Sequence, residues 1–216
     1  MLTETHWHVI VPVRGGTNSK TRLQGLKLNA KQRSQLAQAF ATDVVTVALG
    51  TSGVDDVTVI TGDSHTAEHF SQLGAQIFHE PPGVGLNELV RRASEDIRHR
   101  FPHHGIAAVM GDIPGLTSEA LAQALTNAAS VQQGVLADHD ESGTVMLTAT
   151  GSCSLQPAYG QGSYSRHLAA GYVPIDVPKS SPVKYDVDTL EDLKLVMKRD
   201  IGAHTRTCVN IFNLQL

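Results

Sequence analysis

Short apolar runs alternate along the chain with longer segments in which apolar residues recur every three or four positions. A run of four to eight apolar residues is typical of a buried strand, and a repeat near 3.6 residues is typical of an amphipathic helix. The pattern predicts strands at 8–13, 56–61, 75–80, at the start of 106–116, and at 134–138, 144–149 and 173–178. It predicts helices at 29–50, 64–74, 85–101, after Thr117 or Ser118, at 163–172, and a final one capped by Thr189.

Strands that alternate with helices predict an α/β fold with a mainly parallel, mixed sheet flanked by helices on both faces. No internal repeat, low-complexity tract or linker divides the 216 residues, so a single domain is predicted. Ligands bind such sheets at the carboxyl ends of the strands. A site is therefore expected in the loops after Val13, Ile60, Glu80 and Met110, and near Asp186.

Composition and charge narrow the class of protein. The chain is 41% hydrophobic and 18% charged, which is typical of a globular protein. Its net charge of −4 argues against nucleic acid or an anionic membrane as a partner. Two cysteines without CxxC spacing, Cys153 and Cys208, suit a reducing compartment. With no signal peptide and no long apolar run, a cytoplasmic protein is expected.

The loop "RGGTNSKTRLQG" follows the first predicted strand. A phosphate-binding P-loop needs glycines at two positions that Arg14 and Ser19 occupy here, so that motif is excluded. However, Arg14, Lys20 and Arg22 bring three positive charges to the end of a strand in an acidic protein, which favours a bound polyphosphate. The alternative is a solvated loop whose basic residues have no specific role.

Carboxylates follow two other predicted strands. Asp112 lies in "VMGDIPGL" between a buried strand and a turn, and Asp186 and Asp188 face the same side of an extended segment. Carboxylate oxygens are the ligands that Mg²⁺ prefers. The alternatives are that Asp112 only stabilises its turn and that Asp188 only helps to start the last helix.

Two further motifs have weaker implications. In "EPPGVGLNELV", Gly85 allows a close backbone approach and Asn87 offers a donor and an acceptor to a base or ribose, although both also suit an ordinary helix start. The segment "HTAEH" at 65–69 matches a zinc-protease signature. Two histidines cannot complete a catalytic zinc shell, and the predicted helix is short, so a metalloprotease is disfavoured.

Taken in order, these segments resemble a known family. "VPVRGGTNSKTRL", "EPPGVGLNELV", "VMGDIPGLT", "YGQGSYSRHLAAG" and "YDVDTLEDL" are similar to the small guanylyltransferases of coenzyme F420 biosynthesis, although Leu190 replaces the proline usual after the last D-x-D-T. The resemblance implies a nucleotide-diphospho-sugar transferase (Rossmann-like) fold. It also implies transfer of GMP from GTP to a small phosphorylated three-carbon acid.

The resemblance implies nucleotide-binding residues. Lys20 and Arg22 match the basic pair that holds the GTP phosphates, with Arg14 beside them, and are assigned to catalysis through charge stabilisation. Gly85 and Asn87 match the segment near the base and ribose.

It also implies metal- and acceptor-binding residues. Asp112 and Asp188 match the aspartates that bind Mg²⁺, and Asp112 is assigned to catalysis. Thr144, Gly160 and Ser163 match the positions that hold the phosphate and carboxylate of the acceptor.

We expect phosphoenolpyruvate as the acceptor, with 2-phospho-L-lactate or another small phosphate as the alternative. A different class of function, a nucleotide-binding module without turnover, is separated from these by an assay of pyrophosphate release. The sequence leaves open the basis of guanine selectivity, the number of metal ions and whether the chain forms a homodimer.

Overall fold

The computed structural model describes residues 5–13 and 28–214. Three predicted phosphate-binding residues, Arg14, Lys20 and Arg22, lie outside the described residues.

The described chain contains seven strands, seven α-helices and a short 3-10 helix at Pro182–Lys184. The strands are β1 (Trp7–Pro12), β2 (Val54–Thr61), β3 (Gln76–His79), β4 (Gly105–Val109), β5 (Gln133–Ala137), β6 (Thr144–Ala149) and β7 (Val173–Pro174). The helices are α1 (Ala30–Leu49), α2 (Ser64–Gln72), α3 (Leu86–Arg100), α4 (Ser118–Ala128), α5 (Ser163–Ala169), α6 (Leu190–Met197) and α7 (Ala203–Ile211).

The strands form one mixed sheet in the order β3-β2-β1-β4-β6-β5-β7. β6 runs antiparallel to both β4 and β5, and the other neighbouring strands pair in parallel. The carboxyl ends of six strands therefore share an edge with the amino end of β6. The predicted fold class is confirmed.

Helices cover both faces of the sheet because side chains of successive strand residues point to opposite faces. In β1, Val9 and Val11 pack into a cluster with α1 and α4, and Ile10 packs into a second cluster with α3. A third cluster joins α1, α6 and α7 away from the sheet. Among the described residues, no helix is long and apolar enough to cross a membrane.

Two predictions of secondary structure were wrong. The strand predicted at 173–178 pairs only over Val173–Pro174, followed by one hydrogen bond from the N–H of Ile175 to the carbonyl of Val135 at 2.8 Å. Beyond it, the carbonyl of Asp176 accepts from the side chain of Asn127 on α4 at 2.6 Å. The helix capped by Thr189 is not the last one. α7 follows it, and its N-terminus is held by a carboxylate from α1, a distant contact that no local pattern indicates.

Candidate active site

Asp112 and Thr144 lie at the same edge of the sheet. Val109 on β4 pairs with Met146 on β6, and the N–H of Met110 donates to the carbonyl of Val145 at 2.9 Å. This antiparallel register brings Thr144 level with Gly111, one residue before Asp112.

The acidic segment 186–188 lies directly against Asp112. The N–H of Val187 donates to the carbonyl of Asp112 at 2.8 Å. The Val187 side chain is fully buried in the third cluster, while Asp186 and Asp188 on either side of it are half-buried. These two acidic segments, which are far apart in the chain, thus meet at one edge of the sheet.

A local motif holds Asp188 in place. The carboxylate of Asp192 accepts from the N–H of Asp188 at 3.1 Å and from that of Thr189 at 2.7 Å, while the hydroxyl of Thr189 accepts from the N–H of Asp192. These bonds form a capping box, and the predicted cap at Thr189 is confirmed. Asp188 is the residue that precedes this cap.

The carboxylates of Asp112 and Asp188 carry the oxygen ligands that a hard cation prefers. Among residues 5–13 and 28–214, no three His, Cys, Asp or Glu side chains form a group that could hold a metal. Mg²⁺ normally binds one or two carboxylates and completes its shell with water and substrate phosphates. Asp112 and Asp188 are two carboxylates, the number that such a site takes from the protein.

The residue that precedes the predicted phosphate-binding loop lies at this edge. Val13 donates its N–H to the carbonyl of Ile60 at 2.9 Å, at the carboxyl ends of β1 and β2. Leu28, which follows the loop, is buried in the third cluster, to which Val187 also belongs.

The loop at 155–162, which carries Gly160, is held by side chains from other elements. The Asn87 amide bonds twice to Tyr159, accepting from its N–H at 2.8 Å and donating to its carbonyl at 3.3 Å. Tyr172 accepts from the N–H of Gln156 at 2.8 Å, and Ser94 accepts from that of Leu155 at 3.2 Å. Asn87 thus fastens the start of α3 to the loop, and its amide keeps one hydrogen and one lone pair for a further partner.

Arg166 on α5 closes over the same loop. Its guanidinium donates to the carbonyl of Ala158 at 2.8 Å and to that of Gln161. Gly160 has φ 127°, a conformation that favours glycine, and a Cβ there would lie 3.3 Å from Arg166 Nη2. Gly160 is therefore required by the loop backbone itself.

Thr144 and Ser163 share a buried network with His167. Thr144 Oγ1 lies 3.0 Å from His167 Nδ1 and 3.2 Å from Ser163 Oγ, and His167 Nε2 accepts from the N–H of Ala158 at 2.8 Å. Ser163 is the first residue of α5, whose cap is Gly162. Burial lowers the pKa of His167 to about 4, which keeps the ring neutral at physiological pH.

Sequence reasoning missed His167, Arg166 and Tyr172. One signal was available for His167: it follows Ser163 by four residues, which places both on one face of a helix. Nothing local indicated Arg166 or Tyr172, since their partners lie in a loop with no periodic pattern.

Two predictions are left: Gly85 at the start of α3 and the histidines of the HTAEH segment. Gly85 is the exposed cap residue of α3, two residues before Asn87. In the HTAEH segment, His65 is exposed and His69 Nε2 shares a hydrogen bond of 3.0 Å with the Thr42 hydroxyl.

Solved structures show the same fold. A Desulfovibrio desulfuricans protein assigned as a nucleotide-diphospho-sugar transferase superposes with a TM-score of 0.72 at 15% identity, covering 97% of this chain and 96% of that chain. Rv0371c from Mycobacterium tuberculosis in complex with manganese superposes with a TM-score of 0.52 at 16% identity, covering 91% of this chain and 100% of that chain.

Relatives found by sequence comparison are more similar in sequence than these solved structures. Phosphoenolpyruvate guanylyltransferase from Streptomyces scabiei is 36% identical over 203 residues, covering 92% of this chain and 94% of the relative. The enzyme of the same name from Streptomyces avermitilis is 35% identical over 199 residues, covering 92% of each. A family model described as guanylyl transferase CofC like matches residues 7–215. The chain belongs to this CofC-like guanylyl transferase family.

Proposed function

We propose that this protein transfers GMP from GTP to phosphoenolpyruvate, giving enolpyruvoyl-2-diphospho-5'-guanosine and pyrophosphate in coenzyme F420 biosynthesis. The observation that carries the proposal is the hydrogen bond between Val187 and Asp112, which joins the two acidic segments beside Thr144. Phosphoenolpyruvate is chosen because the relatives at 35–36% identity carry that name.

GTP would bind between the basic loop and the start of α3. Lys20 and Arg22, with Arg14, belong to the segment that follows Val13, and Val13 lies at the carboxyl ends of β1 and β2. Gly85 and Asn87 at the start of α3 are proposed to lie near the base and ribose.

A divalent cation, which we propose to be Mg²⁺, would be held by Asp112 and Asp188. The manganese complex of a protein with the same fold and the oxygen-only donor set support a hard cation here. When bound, it would neutralise phosphate charge and bring the two substrates together.

The chain's own residues would align the reactants. An oxygen of the acceptor phosphate attacks the α-phosphorus of GTP, the bond from that phosphorus to the bridging oxygen breaks, and pyrophosphate leaves. No protein nucleophile is needed because the acceptor phosphate is already anionic. Lys20 and Arg22 would stabilise the pyrophosphate, while Thr144, Gly160 and Ser163 would hold the acceptor.

The fold, with one sheet and helices on both faces, supports a single nucleotidyltransferase domain. Cys153 and Cys208 are both free thiols, which supports the cytoplasm as the compartment. A homodimer is compatible with this proposal and is not required by it.

The test is pyrophosphate release from each nucleoside triphosphate in the presence of Mg²⁺ and one of several small phosphates. We expect release with GTP and phosphoenolpyruvate, and a direct competition assay separates that acceptor from 2-phospho-L-lactate. Release only with CTP and a sugar phosphate would contradict the proposal. GTP binding without release for any acceptor would indicate a binding module instead.

A further inference from the structure

We propose that His167 is a positioning residue: its Nδ1–H directs the hydroxyl pair of Thr144 and Ser163 so that one hydroxyl hydrogen is available to an anionic oxygen of the acceptor. The inference rests on the proposed function, since it takes the acceptor to bind at Thr144 and Ser163. The hydrogen bonds around the imidazole support it.

The surroundings of the ring select its tautomer. A backbone N–H can only donate, so the 2.8 Å contact from Ala158 makes Nε2 the acceptor and unprotonated. In a neutral ring the proton is then on Nδ1, which lies 3.0 Å from Thr144 Oγ1 and has the backbone carbonyl of Ser163 as a second acceptor.

The ring is kept neutral by its location. His167 is fully buried, and the neighbouring Arg166 adds to the effect of burial in lowering its pKa. A protonated ring would also direct a second N–H at the N–H of Ala158, which is repulsive.

The fixed donor at Nδ1 imposes a direction on the hydroxyls. Thr144 Oγ1 accepts from His167 and is 3.2 Å from Ser163 Oγ, so one of the two hydroxyls donates to the other. Two hydroxyls carry two hydrogens, and that bond uses one. No acceptor within the described part of the chain takes the other hydrogen, in either arrangement.

The remaining hydrogen suits an anion. Thr144 and Ser163 are 7% and 2% exposed, so bulk water has little access to their hydroxyls. A hydroxyl hydrogen bond to a charged oxygen is stronger than one between neutral groups. The same ring, through Nε2, also fixes the loop that carries Gly160. One side chain therefore holds both the hydroxyl pair and this loop.

Two variants separate the functions of the two ring nitrogens. His167→Asn places an amide near Nδ1 and retains a donor for Thr144, whereas His167→Gln places its amide near Nε2 and retains an acceptor for Ala158. We expect His167→Gln to raise the KM for phosphoenolpyruvate by about tenfold or more, because a hydrogen bond to an anion is lost, with the KM for GTP unchanged. His167→Asn should raise the acceptor KM by a smaller factor. Two results would overturn the proposal and indicate a purely structural histidine. One is an equal rise of the KM for phosphoenolpyruvate in the two variants, and the other is an equal rise of the KM values for GTP and for phosphoenolpyruvate.

Nitrogen NMR of the ring in the unmodified protein provides a second measurement that does not depend on the variants folding. At neutral pH we expect Nδ1 protonated and Nε2 unprotonated, and a shift of the Nδ1–H signal when phosphoenolpyruvate is added. A protonated Nε2, or an Nδ1–H signal that phosphoenolpyruvate leaves unchanged, would overturn the inference even if the protein turns over GTP. Absence of pyrophosphate release from the unmodified protein would instead count against the proposed function.

Discussion

The N–H of Val187 donates a 2.8 Å hydrogen bond to the carbonyl oxygen of Asp112. Because Val187 is fully buried, this bond anchors the segment carrying Asp186 and Asp188 at the carboxyl end of β4. Two contacts therefore hold the backbone of this segment. One is the bond from Val187 to Asp112, and the other is the bond from the N–H of Asp188 to the Asp192 carboxylate.

Asp112→Asn and Asp188→Asn should each lower kcat by at least about 100-fold, because each removes a charge proposed to hold the cation. The substitutions keep the side-chain volume, so the melting temperature should change little. The measurement is pyrophosphate release with GTP, phosphoenolpyruvate and Mg²⁺. Asp140→Asn is the matched control, since that exposed acid lies in the neighbouring β5–β6 turn. A kcat near that of the parent in Asp112→Asn would remove this residue from the mechanism.

Asn87→Ala should loosen the loop at 155–162. The substitution removes both hydrogen bonds to Tyr159, whose N–H is then left without that acceptor. Hydrogen exchange of the loop should accelerate by about tenfold, as expected for loss of one to two hydrogen bonds. Exchange of β1 measured in the same experiment is the control. Unchanged exchange at the loop would show that Arg166 and His167 hold it without Asn87.

Asp43→Ala should destabilise the protein by about 1.5–3 kcal/mol, because the buried carboxylate accepts from two N–H groups at the start of α7. These bonds run from His204 at 3.0 Å and Thr205 at 2.8 Å. The measurement is urea denaturation. Thr207→Ala, which removes an exposed hydroxyl on the same helix, is the control and should cost less than about 0.5 kcal/mol. An equal loss in both variants would mean that α7 is not held by Asp43.

Stability should fall as the pH decreases from 6.5 towards 4. Burial lowers the pKa of His8 to about 4, so within that range the unfolded chain binds a proton that the folded chain does not. The resulting slope is up to about 1.4 kcal/mol per pH unit, and the contribution is fully present above pH 6.5.

His8→Gln is the variant that tests this dependence, because it removes the titrating ring. Between pH 7.5 and 5.5, the parent should lose about 1 kcal/mol more than His8→Gln in urea denaturation. Thr58→Val is the control: it removes the hydroxyl that bonds His8 Nε2 but leaves the ring, so its slope should match that of the parent. A parent slope equal to that of His8→Gln would show that His8 does not cause the effect.

Local patterns were sufficient for much of the fold. The capping box of Thr189 and Asp192 joins residues three apart, and the buried strand of β4 was evident from its apolar run. Interactions at such short separation are determined by the order of residues, so the sequence predicts them directly. The prediction of a strand at 173–178 was wrong beyond Val173–Pro174, where the carbonyl of Asp176 bonds to a side chain of α4 that is distant in the sequence.

The sequence by itself determined the α/β alternation, the helix start at Thr189 and which residue types stand at the ends of the strands. Only the tertiary structure decided their partners: Asn87 with Tyr159, 72 residues apart, and Thr144 with His167, 23 apart. Such contacts depend on strand order and register, which no local period encodes. A hydrogen bond forms only when both backbones have been brought to the same place by the packed sheet.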